Sequence, residues 1–324
     1  MNQHTQESLN ARPDPEKIRQ AAALIREGKL VAFPTETVYG LGANALDAGA
    51  VQKIFRLKGR PATSPLIVHV GSREAADALA KNWRDDAEQL ARRFWPGPLT
   101  LVLPKRELIP DVVTAALPTV GLRVPANAFA LALLAEAGVP IAAPSANRFT
   151  ELSPTTAAHV RRSLGDAVDF ILDGGPTRVG IESTVLSLAT PVPVLLRPGM
   201  ISVEQIEAVI GKIEIAGAPA EGAHPSPGMH AQHYRPKTLL LLVKDADLPT
   251  WGRGAYLFMN RSAVARHRIG ESIEMPSEAD QYATTLYDTL HRLDEGGFDW
   301  IAVEQPPETP EWAGILDRLR RASQ

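Results

Sequence analysis

Short apolar runs alternate with amphipathic stretches along the first two thirds of this 324-residue chain. That order predicts an α/β domain built on a mixed sheet. Pro15 to Glu27 has apolar residues at Ile18, Ala21, Ala22 and Ile25, with Gly28 where a helix would end. Leu30 to Phe33 reads as a buried strand. Ala50 to Lys58 is helical by its Val51, Ile54 and Phe55 stripe and is stopped by Gly59-Arg60-Pro61. A strand at Pro65 to Val70 follows, then helices at Arg73 to Asn82 and Asp85 to Phe94 and a strand at Leu99 to Leu103. The pattern continues with strands at Val120 to Pro125 and Val139 to Pro144 around a helix at Ala128 to Glu136. Ser153-Pro154 predicts a cap and first-turn proline for a helix to Leu164. Strands at Phe170 to Leu172, Ser183 to Leu188 and Val192 to Arg197 come next, the last two close enough to form a hairpin. Ser202 and Gln205 make a capping box for a helix to Ile210.

Gly211 to Lys237 holds too many glycines and prolines, and too little apolar bulk, for a packed element. It reads as a linker. Beyond it, Leu239 to Val243, Gly254 to Met259 and Asp299 to Glu304 read as strands, with helices around Glu278 to Leu293 and from Glu311. The expected organisation is a flexible tail (1–12), an α/β domain with a concave basic site (13–210), a linker or lid (211–237) and a small Rossmann-like α/β domain (238–324).

A formal charge of −3 gives no global basic field, so any nucleotide or nucleic-acid contact must come from a local patch. The chain has no cysteine, which removes disulfides, thiolate metal sites and a cysteine nucleophile. A polar first dozen residues and the lack of any 18-residue apolar run predict a cytoplasmic protein without a membrane span. GxxxxGK[ST], GxGxxG, HExxH and GxSxG are all missing. A nucleotide would have to be bound by another device.

The block from Val31 to Val70 offers one. Lys53, Arg56, Lys58 and Arg60 fall within eight residues that contain no acid, after a hydroxyl-rich turn of Thr35, Thr37 and Tyr39. Lys58 and Arg60 flank a glycine at a helix end, where a stiff exposed turn could clamp a triphosphate. Cations also favour helix C-termini for dipole reasons alone. Ser145 and Asn147, in APSAN, follow an apolar strand at the edge where open α/β sheets bind ligands, although the same residues simply make turns. Arg123 inside VGLRV needs a carboxylate partner, internal or from a ligand. His69 lies in an apolar strand, Arg197 ends one, and Ser183 and Thr184 enter another.

PTETVYGLG, KGRP, SPLIVHV, RVP, APSAN, GIESTV, RPG and SPGM…HY…PK occur here in one order. Together they resemble the longer, two-domain form of the YrdC-type threonylcarbamoyl-AMP synthases, over about Ile18 to Lys237. Ser64, Thr150 and Ser187 stand where that family usually has Asn, Gly and Asp. The resemblance implies joining of L-threonine, bicarbonate or carbon dioxide, and ATP into threonylcarbamoyl-AMP with release of pyrophosphate. It implies Mg²⁺ carried with ATP, no protein-held metal, and a downstream threonylcarbamoyl transferase that modifies tRNA. Lys58 and Arg60 would be catalytic and, with Thr119, Ser145, Asn147, Arg197 and Tyr234, would bind ATP. Thr35, His69, Arg123 and Ser183 would bind threonine, Arg123 through its carboxylate. Tyr234, in the linker, would lie near the phosphates under a lid. Two other readings compete: a module that grips tRNA or double-stranded RNA through the Lys53 to Arg60 cluster without chemistry, and a relative that uses carbamoyl phosphate. The second would need further domains, for which 324 residues leave no room.

Overall fold

The computed structural model describes residues 12–217, 234–244, 247–259 and 270–324. All but the last position of the expected tail lies outside them. So does most of the 211–237 segment, including His230 and His233.

Helix α1 (Pro15–Arg26) starts on the side chain of Asp14, which accepts from the Glu16 amide, and leads into β1 (Val31–Pro34) and β2 (Tyr39–Asn44). Helix α2 (Ala48–Lys58) is capped by Asp47 and ends on Gly59 at φ 64°, a left-handed conformation that glycine adopts without penalty. Then follow β3 (Ile67–His69), α3 (Arg73–Asp77), α4 (Asp85–Phe94), β4 (Leu99–Pro104), α5 (Asp111–Thr114), β5 (Thr119–Arg123), α6 (Ala128–Ala137) and β6 (Ile141–Ala142). The first part closes with α7 (Ala157–Leu164), β7 (Phe170–Ile171), β8 (Thr184–Ser187), β9 (Val194–Arg197), α8 (Val203–Ile210) and β10 (Glu214–Ile215). These strands form one ten-stranded mixed sheet in the order β10-β9-β8-β4-β5-β3-β6-β2-β1-β7. β8 and β9 pair as the expected antiparallel hairpin.

Beyond the linker, β11 (Leu239–Val243), β12 (Gly254–Phe258), β13 (Glu271–Glu274) and β14 (Trp300–Glu304) form an all-parallel sheet ordered β11-β14-β12-β13. Helices α9 (Ala279–Asp294) and α10 (Ala313–Ala322) pack between this sheet and the first unit. One apolar cluster joins the two units: Leu286, Tyr287, Ile315 and Leu319 bury against Val38, Leu152 and Ile181.

Three local expectations need correction. Tyr39, expected in the hydroxyl-rich turn, instead opens the strand Tyr39–Asn44, where a Cβ on Gly42 would lie 2.8 Å from both Phe33 and Ile141. The helix expected from Ser153-Pro154 starts at Ala157 on a Thr156 cap, since the Ser153 hydroxyl is taken by Glu182. The helix expected over 73–82 stops at Asp77, and Ala80 bridges to Lys105 instead. Thr150 sits at φ 73°, a conformation that a β-branched residue adopts only at a cost.

Candidate active site

β3 and β5 are parallel neighbours, and their last residues, His69 and Arg123, are paired in register. This is the carboxyl end of the strands, where α/β sheets build ligand clefts. The 35–38 turn between β1 and β2, the loop after β6, and the starts and ends of β8 and β9 close around the pair. They leave a cleft of about 540 Å³, part of it open to solvent.

The β1–β2 turn is organised by its hydroxyls. Arg123 donates to Thr37 Oγ1 at 2.9 Å. Thr35 Oγ1 donates to the Val38 carbonyl at 2.7 Å, so the 2.8 Å contact between the two threonines has Thr37 as donor. Arg123 also pairs with Glu36 at 2.8 Å, both side chains almost fully buried. That approach is close but poorly aligned. Among the described residues, neither Glu36 oxygen accepts a directed hydrogen bond, Arg123 Nε has no acceptor, and His69 Nδ1 has no partner. Burial, and secondarily Arg123, push the His69 imidazole down to about 3, so it is neutral at physiological pH.

Arg60 and Lys58 were expected on an exposed turn; both are buried. The α2 stripe that packs Ile54 and Phe55 inward carries Lys58 with it, while Lys53 and Arg56 stay on the exposed side. Lys53 donates to the Gly28 carbonyl, so the four cations are not one patch. Arg60 lines the cleft, donates to the Ser64 and Pro65 carbonyls at 3.2 and 3.0 Å, and lies over the Phe149 ring. Burial, with Arg197 nearby, lowers it to about 10. Lys58 donates to the carbonyls of Ser145 (2.6 Å) and Asn147, tying down the loop after β6. Burial and then Arg60 hold its ammonium well below the ordinary lysine range.

On the opposite wall, Arg197 donates to the Ser183 carbonyl at 2.9 Å and to its hydroxyl at 3.2 Å, and that hydroxyl also meets Thr100 Oγ1 at 2.8 Å. Glu182 lines the cleft and accepts from Ser153 Oγ, Tyr287 OH (3.3 Å) and Arg318 Nε (2.7 Å). Burial alone would raise its carboxyl; Arg318 and Arg197 overcome that and hold it below the usual range. Tyr234, the first described residue after the linker gap, is buried in the cleft wall with its phenol pushed up, chiefly by burial and then by Glu182. Among the described residues no group of three acidic, histidine or cysteine side chains could hold a metal.

Residues 23–199 match the Sua5/YciO/YrdC family model, described as telomere recombination. Residues 201–324 match the model described as the C-terminal domain of threonylcarbamoyl-AMP synthase. The chain belongs to the threonylcarbamoyl-AMP synthase family. It is 45% identical to the threonylcarbamoyl-AMP synthase of Pyrococcus abyssi, over 95% of this chain and 94% of that protein. It is 44% identical to that of Bacillus subtilis, over 96% and 93%. The crystal structure of Pyrococcus abyssi Sua5 complexed with L-threonine superposes with a TM-score of 0.88 at 42% identity, covering 97% of this chain and 96% of that one.

Within this synthase-family fold, Thr35, Arg60, His69, Arg123, Ser145, Ser183, Arg197 and Tyr234 meet around one cleft. Lys58 and Asn147 stand behind it, holding the Ser145 loop, and are not among its lining residues. Thr119 is not either; it opens β5 two residues before Gly121, which pairs with Ile67. Sequence reasoning missed two carboxylates: Glu182, which lines the cleft, and Glu36, which pairs with Arg123 without lining it. Each lies inside a motif already singled out, PTETVYG or GIESTV, but nothing in a one-dimensional pattern says which carboxylate faces inward.

Proposed function

We propose that this chain is a transferase that makes L-threonylcarbamoyl-AMP and pyrophosphate from L-threonine, bicarbonate or carbon dioxide, and ATP. The observation that carries this reading is a single cleft with two chemically distinct sets of groups. Arg123 and His69 keep buried nitrogens with no partner among the described residues, and the buried guanidiniums of Arg60 and Arg197 line the same cleft. Unpaired buried polar atoms of this kind suit a small polar ligand, and paired arginines suit polyphosphate.

In this reading Arg123 takes the threonine carboxylate, and Thr35, His69 and Ser183 complete the amino-acid subsite. The threonine amine adds to carbon dioxide to give a carbamate and loses a proton. A carbamate oxygen then attacks the α-phosphorus of ATP, the bond to the β-phosphate oxygen breaks, and pyrophosphate leaves. No enzyme nucleophile is consumed, so rate must come from positioning and charge neutralisation. Arg60 and Arg197 face the phosphates, with Ser145 and Tyr234 beside the nucleotide. Lys58 and Asn147 act through the loop they hold, and Thr119 adds a nucleotide contact only if ATP extends along β5. Glu36 and Glu182 are the carboxylates closest to the chemistry, and each is engaged by an arginine. Mg²⁺ therefore enters with ATP, held by phosphates and water.

The product feeds a threonylcarbamoyl transferase acting on tRNA, in the cytoplasm. No helix among the described residues is long and apolar enough to cross a membrane. The division into a catalytic unit at 13–210, a lid or linker at 211–237 and a Rossmann-like unit at 238–324 belongs to the same proposal, supported by the parallel second sheet. The RNA-gripping reading gains no support, since two of its four cations are turned inward. The test is pyrophosphate release from ATP with threonine and bicarbonate each omitted in turn. Release must need both; release that ignores threonine overturns the proposal.

A further inference from the structure

Arg318 is 1% exposed, lies on the last helix of the chain and does not line the cleft. A buried arginine away from any ligand calls for a physical reason. Its donors supply one. Nε donates to Glu182 Oε2 at 2.7 Å and Nη2 to the Glu182 carbonyl at 3.2 Å. Nη1 donates to the Pro198 carbonyl at 2.9 Å and to Asp317 at 2.8 Å. The guanidinium also lies 5.3 Å from the centre of the Tyr234 ring. One planar fork thus joins the residue before Ser183, the residue after Arg197, and Tyr234.

The neighbouring contacts press on the same two segments. Thr284 on α9 donates to the Arg178 carbonyl at 2.7 Å. Gly180, at φ 84°, packs so closely that a Cβ would come within 2.1 Å of the Ala283 carbonyl oxygen. Gly314 on α10 approaches Gly199 in the same way, with a Cβ placed 2.8 Å from its carbonyl oxygen. The 178–183 and 197–199 stretches, which deliver Ser183 and Arg197 to the cleft, are therefore held between the first unit, through the Glu36 and Thr37 carbonyls and Thr100, and α9 and α10 behind them.

We infer that Arg318 is a positioning residue for the synthase reaction, holding the Glu182–Ser183 and Arg197–Pro198 segments and Tyr234 in place from behind, so that the second unit forms the rear wall of the active site. The inference rests on the reaction proposed above and names what the second unit does for it. Arginine is required because only its fork reaches two backbone carbonyls and a carboxylate at once; a lysine keeps the charge and loses the geometry.

The test uses the full chain at a temperature where circular dichroism shows each variant folded. Wild type is assayed first for threonine-dependent pyrophosphate release. If it shows none, the proposed reaction falls and this inference with it. If wild type is active, Arg318→Met should lower kcat/KM for threonine by about a hundredfold, as expected of misplacement near 1 Å. Arg318→Lys should recover only part of that loss. Arg292→Ala, which removes an exposed pair with Glu271 on the same unit, should stay within about threefold of wild type. Should Arg318→Met fail to fold, Glu182→Gln/Arg318→Met removes the unpaired buried charge, and Glu182→Gln alone is its reference. A folded Arg318→Met within about threefold of wild type, or a folded double variant within about threefold of wild type, shows Arg318 to be a stabilising contact only and overturns the inference.

Discussion

Two buried arginine–glutamate pairs each give one residue to the cleft wall, Arg123 and Glu182, and they differ in how completely they are satisfied. Arg318 and Glu182 are saturated: the carboxylate accepts from an arginine, a serine and a tyrosine, and the arginine also reaches two backbone carbonyls from the cleft-wall segments. Arg123 and Glu36 come within 2.8 Å, yet both Glu36 oxygens and Arg123 Nε lack directed partners among the described residues. Burial is similar in the two cases, so exposure does not explain the contrast. Open hydrogen-bonding capacity in a buried pair is costly unless something fills it, and a ligand is the natural occupant. In the proposed reaction the saturated pair holds a wall, and the open pair receives threonine.

Stability should separate the two pairs most strongly. Glu182→Gln removes the carboxylate that accepts from Arg318, Ser153 and Tyr287, leaves Arg318 only Asp317 as an acidic partner, and should cost about 3 kcal/mol in urea unfolding. Glu36→Gln, removing a partner that makes no directed bond, should cost less, about 1 kcal/mol. Equal losses would erase the distinction. In binding, the order reverses. Arg123→Ala should raise the threonine KM by about a hundredfold, on the order of 3 kcal/mol, and move the ATP KM far less. Equal effects on both substrates would place Arg123 elsewhere in the reaction.

Acid offers a third comparison, because a neutral histidine stands beside each pair. His69 borders the open pair, pushed down to about 3. His291 stands behind the saturated one, donating to the Ser153 carbonyl at 3.1 Å, stacked on His159 and close to Asp288 and Arg162. Burial, then His159, push it down to about 4. Folded-state values below the ordinary 6.5 mean that the unfolded chain binds more protons as pH falls. Stability is full above about pH 6.5 and is lost progressively below it, by about 2 kcal/mol per histidine at pH 5. Urea midpoints that do not change between pH 7.5 and 5 would contradict this. His291→Gln should remove part of the slope and keep a donor for Ser153.

How much of this was readable in one dimension follows the range of the contacts. The strands and helices around His69, Arg123 and Ser145 come from local periodicity, and their meeting at the carboxyl end of β3 and β5 is a consequence of parallel pairing. The Lys53 to Arg60 cluster misled, because linear density of charge does not say which cations follow Ile54 and Phe55 into the core. The partner of Arg123 is ambiguous in sequence, since an internal carboxylate and a ligand carboxylate satisfy the same need. Arg318 and Glu182 are 136 residues apart, and no periodicity links them. Thr150 was visible only as an odd residue in a glycine position; its φ of 73° shows the physical cost. Thr150→Gly should therefore raise stability by a small amount, ~0.5–1 kcal/mol, on the wall where the Thr150 carbonyl accepts from Arg235. A loss of stability there would mean the threonine side chain offsets its backbone penalty.

The most direct test of the whole account follows carbon rather than phosphate. Labelled bicarbonate, ATP and threonine are mixed with the enzyme, and nucleotide-bound label is measured against pyrophosphate. The account predicts label in an adenylate one-to-one with pyrophosphate, only when threonine is present, and its collapse in Arg123→Ala. Pyrophosphate formed without bound label, or label bound without threonine, would contradict it.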